Sequence, residues 1–287
     1  MLFRSSPGDE PCAQSIEERD AWARLSVAAP EYRLSGVESG GDSDGDGAAE
    51  ALVPWRRTVY LFGRIEAGEG ALDDAPTRLG VDEAYAGIWA GDMDGDGLDD
   101  VLAEGSDAAW VFTAIGEGDR EIASAAGSYA GTDLIPFDAG WSRAGDLDGD
   151  GRGELWAGSW EVPGVYLLNL ESSGPDDALA AVWTPDEIQR IWGADLDGDG
   201  VPELLAEMEG ALLGWNEPAV GVFGDIAPDL QVAVSALDAV GVADLDGDGL
   251  AELAIGDNEG GVESNPEGRS EEHTSELQSQ FRISYAV

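Results

Sequence analysis

The chain has 287 residues, 60 of them acidic and 14 basic, for a formal net charge of −46. So negative a surface argues against nucleic acid and anionic membrane as partners, and no apolar run is long enough for insertion into a bilayer. The single cysteine, Cys12, excludes an internal disulfide, while the length is ample for a hydrophobic core.

Along the chain, the first recognisable element is Asp42-Ser43-Asp44-Gly45-Asp46-Gly47-Ala48-Ala49-Glu50. Its pattern, Asp-x-Asp-Gly-Asp-Gly-x-x-Asp/Glu, returns at Asp92–Asp100, Asp146–Glu154, Asp195–Glu203 and Asp244–Glu252, with first aspartates 50, 54, 49 and 49 residues apart. A fixed step of this size means repeat architecture, one supersecondary unit per copy. The motif itself means calcium, a hard cation that takes six to eight oxygens at roughly 2.3–2.6 Å in irregular geometry. Positions 1, 3 and 5 are Asp42, Asp44 and Asp46; Asp92, Asp94 and Asp96; Asp146, Asp148 and Asp150; Asp195, Asp197 and Asp199; Asp244, Asp246 and Asp248. Position 9 adds a fourth carboxylate, from Glu50, Asp100, Glu154, Glu203 and Glu252. Position 7 would offer a backbone carbonyl. Glycines at positions 4 and 6, such as Gly95 and Gly97, reach positive φ without steric cost, so the backbone can wrap an ion. Carboxylates held this close repel one another until a divalent cation neutralises them. Up to five Ca2+ ions are therefore expected. One such segment could be an empty Asp-Gly turn; five copies keeping four acidic positions argue against that. In loop 1, Ser43 stands where the other copies have Met93, Leu147, Leu196 and Leu245, so its packing beneath the loop should differ.

An EF-hand would need a bidentate Glu at position 12, where this chain has Val53, Ala103, Ala157, Ala206 and Ile255. Short strands are predicted instead: Glu50–Pro54, Thr58–Ile65, Tyr85–Ala90, Asp100–Glu104, Ala109–Ile115, Glu121–Ala125, Leu134–Phe137 and Gly164–Leu170. The linkers between them are rich in Gly, Asp, Ser and Pro, as turns require. About fifty residues holding four short strands is the size of a β-propeller blade, so the expected fold is all-β.

The five loops, together with Phe62-Gly63 after the strand Val59-Tyr60-Leu61, resemble the FG-GAP repeat family, the seven-bladed propeller repeats of integrin alpha subunits and many secreted bacterial proteins. The resemblance covers nearly all of residues 35–260. It implies a calcium loop in the hairpin between a blade's first two strands, a placement that Gly91–Gly97 fits. At this step seven blades would need about 350 residues, so the chain should hold an incomplete, about five-blade part of such a propeller. Trp89, Trp141 and Trp192 precede loops 2, 3 and 4. They are read as packing between neighbouring blades, with a sugar-stacking platform as the alternative.

Both ends read as foreign. Arg269–Ser279 and Ile283–Val287 resemble a translated short-read sequencing adapter, and Met1–Ser5 resembles the end of one. The expected organisation is thus residues 6–268 as propeller repeats, flanked by adapter-derived residues 1–5 and 269–287. The only histidine, His273, falls in the tail, so the repeats cannot run Ser–His or Cys–His chemistry. The resulting expectation is a non-catalytic, calcium-stabilised, secreted or cell-surface module for adhesion or for binding a protein or glycan ligand. A signal peptide, not visible here, would belong to a longer parent chain. A carbohydrate-binding propeller, or the propeller part of a larger secreted enzyme, is the alternative.

Overall fold

Two short apolar runs separated by an Asp/Gly loop pair as an antiparallel hairpin, and this unit recurs through the chain. The computed structural model describes residues 23–26, 37–63, 68–106, 108–130, 140–159, 164–184, 187–216, 220–233, 239–243 and 251–256. Residues 1–130 and 131–287 form two compact units.

In the first unit the strands are β1 (Ala23–Ser26), β2 (Glu38–Ser39), β3 (Ala51–Trp55), β4 (Thr58–Phe62), β5 (Gly68–Ala71), β6 (Thr77–Gly80), β7 (Ala86–Gly91), β8 (Asp100–Glu104), β9 (Ala108–Phe112), β10 (Gly118–Glu121) and β11 (Gly127–Ala130). One sheet has the order β10-β6-β4-β3-β2, the next β11-β9-β8-β7, and β1 pairs with β5. Strands β2-β3-β4-β6 and β7-β8-β9-β11 are four-stranded antiparallel meanders, each the size and form of a propeller blade. Loop 1 joins β2 to β3, and loop 2 joins β7 to β8.

Strand β3 reads Ala-Leu-Val-Pro-Trp, without strict alternation of apolar and polar residues, because both faces of its sheet are covered. Leu52, Val59 and Leu61 point into one core with Trp89, Val101, Trp110 and Phe112 of the following sheet. Val53, Tyr60 and Phe62, the alternate positions, pack on the other face with Leu72 and Ala75. The following sheet leaves no room at Gly41, where a Cβ would lie 2.2 Å from the Trp89 ring. Trp89 therefore packs between neighbouring blades, as its position before the loop suggested.

The second unit repeats the plan with β12 (Trp141–Gly145), β13 (Glu154–Ser159), β14 (Gly164–Leu168), β15 (Ala180–Trp183), β16 (Ile188–Ala194), β17 (Glu203–Met208), β18 (Ala211–Trp215), β19 (Phe223–Asp225), β20 (Leu230–Ala233), β21 (Ala239–Ala243) and β22 (Glu252–Gly256). Its sheets have the orders β12-β13-β14-β15-β19, β16-β17-β18-β20 and β21-β22. Trp156, Leu167 and Val182 of the first share a core with Ile191, Leu204 and Trp215 of the second. Gly193 lets the two approach closely, since a Cβ there would lie 2.2 Å from the Arg143 carbonyl oxygen. Trp141 is buried, whereas Trp192 is half-buried, with the Arg190 guanidinium 5.7 Å from its ring centroid.

The fold class is thus all-β, built of propeller-type blades. Two expectations need correction. Glu121–Ala125 is not a strand: β10 ends at Glu121 and Ile122–Ser124 form a 3-10 turn. Unforeseen parallel strands also occur. β10 adds to β6 and β19 adds to β15, each lying along the outer strand of the preceding meander. The predicted strand Leu134–Phe137, the residues 64–65 of Thr58–Ile65, and both terminal segments lie outside the described residues.

Candidate metal centres

Each described loop is a closed cage of backbone amides around the first aspartate. Its Oδ1 accepts from the position-4 glycine: Gly45 at 2.7 Å, Gly95 at 2.7 Å, Gly149 at 2.7 Å and Gly198 at 2.6 Å. Its Oδ2 accepts from the position-6 glycine at 2.9, 2.8, 3.0 and 3.0 Å in the same order. The glycines must curl back to deliver these amides, and they do so at positive φ, for example 82° at Gly95 and 86° at Gly97. The position-3 carboxylate accepts from the position-5 amide, and the position-5 carboxylate from the position-7 amide, in all four loops. Charge-assisted bonds of this kind fix the carboxylates and leave their remaining lone pairs free for a ligand.

This geometry gathers positions 1, 3 and 5 of each described loop, and the predicted position-9 carboxylate joins them in loop 3 alone, not Glu50, Asp100 or Glu203 in theirs. Ligand oxygens of Asp42, Asp44 and Asp46 lie within 4.8 Å of one another, as do those of Asp92, Asp94 and Asp96, and those of Asp195, Asp197 and Asp199. In loop 3 the group is Asp146, Asp148, Asp150 and Glu154. Asp244, Asp246, Asp248 and the side chain of Glu252 lie outside the described residues.

Position 9 is the buried end of each loop. Glu50, Asp100, Glu154 and Glu203 are all buried, and each accepts from the backbone amide of position 2: Ser43 at 2.9 Å, Met93 at 2.7 Å, Leu147 at 2.7 Å and Leu196 at 2.5 Å. That bond ties the first strand of the hairpin to the second. In loop 1 the Ser43 hydroxyl donates a further bond to Glu50, 2.5 Å long, so a polar contact replaces the apolar plug that Met93 supplies in loop 2.

Burial raises the pKa of three position-9 acids, Asp100, Glu154 and Glu203. Desolvation, reinforced by the negative charges of Asp94, Asp96 and Asp92, pushes Asp100 from its ordinary 3.8 up to about 7. Glu154 is likewise pushed to about 7 by burial and then by Asp148, Asp146 and Asp150. Burial also raises Glu203. In Asp100, Oδ1 is buried and has no hydrogen-bond partner, while Oδ2 of the same carboxylate takes the Met93 amide. A buried oxygen without a donor costs about 1–3 kcal/mol, more when charged. A cation at the loop would supply what it lacks, so the residues present fit calcium.

Adjacent loops are linked within each unit. The Asp99 amide donates to the Asp42 carbonyl at 3.0 Å, and the Asp42 amide donates to Asp99 Oδ2 at 3.0 Å. The Ala251 amide donates to the Asp195 carbonyl at 2.8 Å, the same position-8 to position-1 link. Between loops 3 and 4 position 8 is Pro202, which has no amide hydrogen, and its Cδ lies 3.2 Å from where a Cβ on Gly145 would stand. Asp99 was not singled out in the sequence because position 8 is otherwise Ala49, Gly153, Pro202 or Ala251 and carries no pattern.

No protein-family model and no curated protein sequence matches the chain. Among solved structures, it resembles a chain of "Crystal structure of BBS1N in complex with ARL6DN, soaked with lead", with TM-score 0.47, 10% identity, and coverage of 77% of this chain and 61% of that one. It also resembles a chain of "an active polycomb repressive complex 2 in the basal state", with TM-score 0.51, 9% identity and coverage of 78% and 46%. A third is a humanized mutant of the Chaetomium thermophilum polycomb repressive complex 2, with TM-score 0.52, 10% identity and coverage of 77% and 46%. The chain spans about three fifths of the first and under half of the others. At these identities the likeness concerns the fold alone.

Proposed function

We propose that this chain is a calcium-stabilised, propeller-type binding module, with one ion at each Asp-x-Asp-Gly-Asp-Gly loop. The observation that carries the reading is Asp100 Oδ1, a buried carboxylate oxygen without a donor, beside the converging Asp92, Asp94 and Asp96. The ions are structural in this reading. Asp92, Asp94, Asp96 and Asp100 would hold one, and the corresponding residues of the other loops would hold the rest. A site binding only the folded state adds about 1.4 kcal/mol at tenfold excess of calcium over Kd, so five sum to ~7 kcal/mol. That is comparable with the whole stability of an ordinary domain, about 5–15 kcal/mol. Weak sites with Kd of about 10⁻⁴–10⁻³ M suffice where calcium is millimolar, which supports the reading of a module that works outside the cell or on its surface, in adhesion or ligand binding. The resemblance to the FG-GAP repeats supports the same role, and no catalytic residue is proposed.

Thermal unfolding in millimolar calcium and in excess chelator tests the reading. A large calcium-dependent rise in midpoint is expected, lost when Asp94, Asp148, Asp197 and Asp246 are replaced together by Ala. An unchanged midpoint in the parent chain would mean that the loops are empty turns.

A further inference from the structure

Exposed apolar side chains of the second unit gather in one place. Trp183 at the end of β15 is 48% exposed and Phe223 at the start of β19 is 55% exposed, with Val220 and Val222 at 38% and 37%. Scattered single exposures are ordinary, but a cluster on adjoining strands is not. The parallel register sets Phe223 beside Ala181 and Asp225 beside Trp183. Phe223 and Trp183 are therefore diagonal neighbours on one face of the sheet, with backbones roughly 8 Å apart from the strand spacing and rise. The patch is held in place by backbone bonds from the Ala181 amide to the Val222 carbonyl at 2.9 Å and from the Gly221 amide to the Leu179 carbonyl at 2.8 Å.

The electrostatic setting of the patch is one-sided. From Gly153 to Gly268 the only basic residue is Arg190, and its guanidinium is engaged by Glu207 at 2.8 Å. Asp225, exposed and in register with Trp183, has no basic residue near it in sequence. Open aromatic faces in a negative field attract a cation, and arginine is the best fit, because its planar guanidinium stacks on a ring while its edge pairs with a carboxylate. An anionic partner would be repelled, and a purely apolar one would desolvate Asp225 without compensation.

We propose that Trp183, Phe223 and Asp225 form a docking surface for an arginine-bearing basic segment of a partner protein. The proposal rests on the binding-module reading and names the partner class. Arginine side chains lie over Trp183 and Phe223, and Asp225 takes the guanidinium edge.

The test is fluorescence anisotropy of a fluorescein-labelled alternating Arg-Val peptide, and of its Lys-Val counterpart, on the full chain at physiological salt and saturating calcium. The arginine peptide should bind more tightly than the lysine one. Trp183→Ala combined with Phe223→Ala, which leaves net charge unchanged, should weaken it about tenfold, as loss of a stacked aromatic anchor does. Asp225→Asn should weaken it less. Equal binding by the parent chain and the double variant would overturn the proposal, since attraction would then come from the general field alone. Patch-dependent binding of a neutral oligosaccharide, or patch-dependent self-association, in place of peptide binding would also overturn it. The calcium-dependent melting shift is measured on the same samples. If that shift is absent while patch-dependent peptide binding persists, the docking surface stands and the calcium reading falls. If the shift persists while binding ignores the patch, the docking surface alone falls.

Discussion

Asp100→Asn separates an ion ligand from a structural hydrogen-bond acceptor. In the parent chain Asp100 Oδ2 accepts from the Met93 amide at 2.7 Å, and Oδ1 is buried without a partner. Asparagine keeps an acceptor for Met93 and loses the charge. Without calcium at pH 8, the parent must hold an ionised carboxylate whose pKa has been raised to about 7, chiefly by burial. That ionisation opposes folding, so the variant should melt at or above the parent in chelator. With calcium that advantage should narrow, because the variant loses a ligand. Loss of one site at tenfold excess removes about 1.4 kcal/mol, and a domain of this size shifts by about 2–4 °C per kcal/mol. The calcium-induced rise should therefore shrink by roughly 3–6 °C, read by differential scanning calorimetry. At pH 5.5 in chelator the variant's advantage should shrink, and it should vanish only below about pH 4, where the carboxylate is protonated in the unfolded chain as well. A variant that melts lower by the same amount in calcium and in chelator would refute the reasoning, leaving Asp100 as an acceptor for Met93 and nothing more.

Other consequences can be checked alongside. Asp100, Glu154 and Glu203 all have pKa values raised in the fold, so their contribution to stability is full below about pH 4 and lost as pH rises through the raised values, about 7 for Asp100 and Glu154. In chelator the melting temperature should fall from pH 5 to pH 8, and Asp100→Asn with Glu154→Gln should flatten that fall; an unflattened profile counts against the assignment. Gly193→Ala forces a Cβ to within 2.2 Å of the Arg143 carbonyl oxygen, and should cost about 3 kcal/mol in urea unfolding. A loss below about 0.5 kcal/mol would contradict the close approach. Arg190→Ala leaves Glu207, 2% exposed, without its 2.8 Å partner. It should cost about 2–3 kcal/mol, less than a fully buried pair because Arg190 is half exposed. Glu207→Leu added to that variant should recover most of the loss, and a further drop instead would show that the pair itself is stabilising.

The loops and the strands that follow them were legible in the sequence because ligand chemistry and burial constrain residue type directly. Asp100–Glu104 is a strand with the predicted bounds, and Ala51–Trp55 is displaced by one residue. The parallel strands β10 and β19 were not legible. Gly-Asp-Arg-Glu and Phe-Gly-Asp show no two-residue apolar alternation, and what makes them strands is the edge offered by β6 and β15, a tertiary fact. The Glu121–Ala125 error has the same origin, since the apolar Ile122 falls in a 3-10 turn where its side chain packs against the first unit's core. In the site, positions 1, 3 and 5 could be read from spacing alone. The bond from position 9 to the position-2 amide could not, because it depends on how the second strand returns beneath the loop.

The most direct test of the central claim is the number of calcium ions bound per chain, measured by equilibrium dialysis with atomic absorption at millimolar free calcium. Five loops predict four to five ions, with one fewer in an Asp148→Ala variant. A chain that binds no more calcium than its quadruple variant, in which Asp94, Asp148, Asp197 and Asp246 are all alanine, would contradict the account.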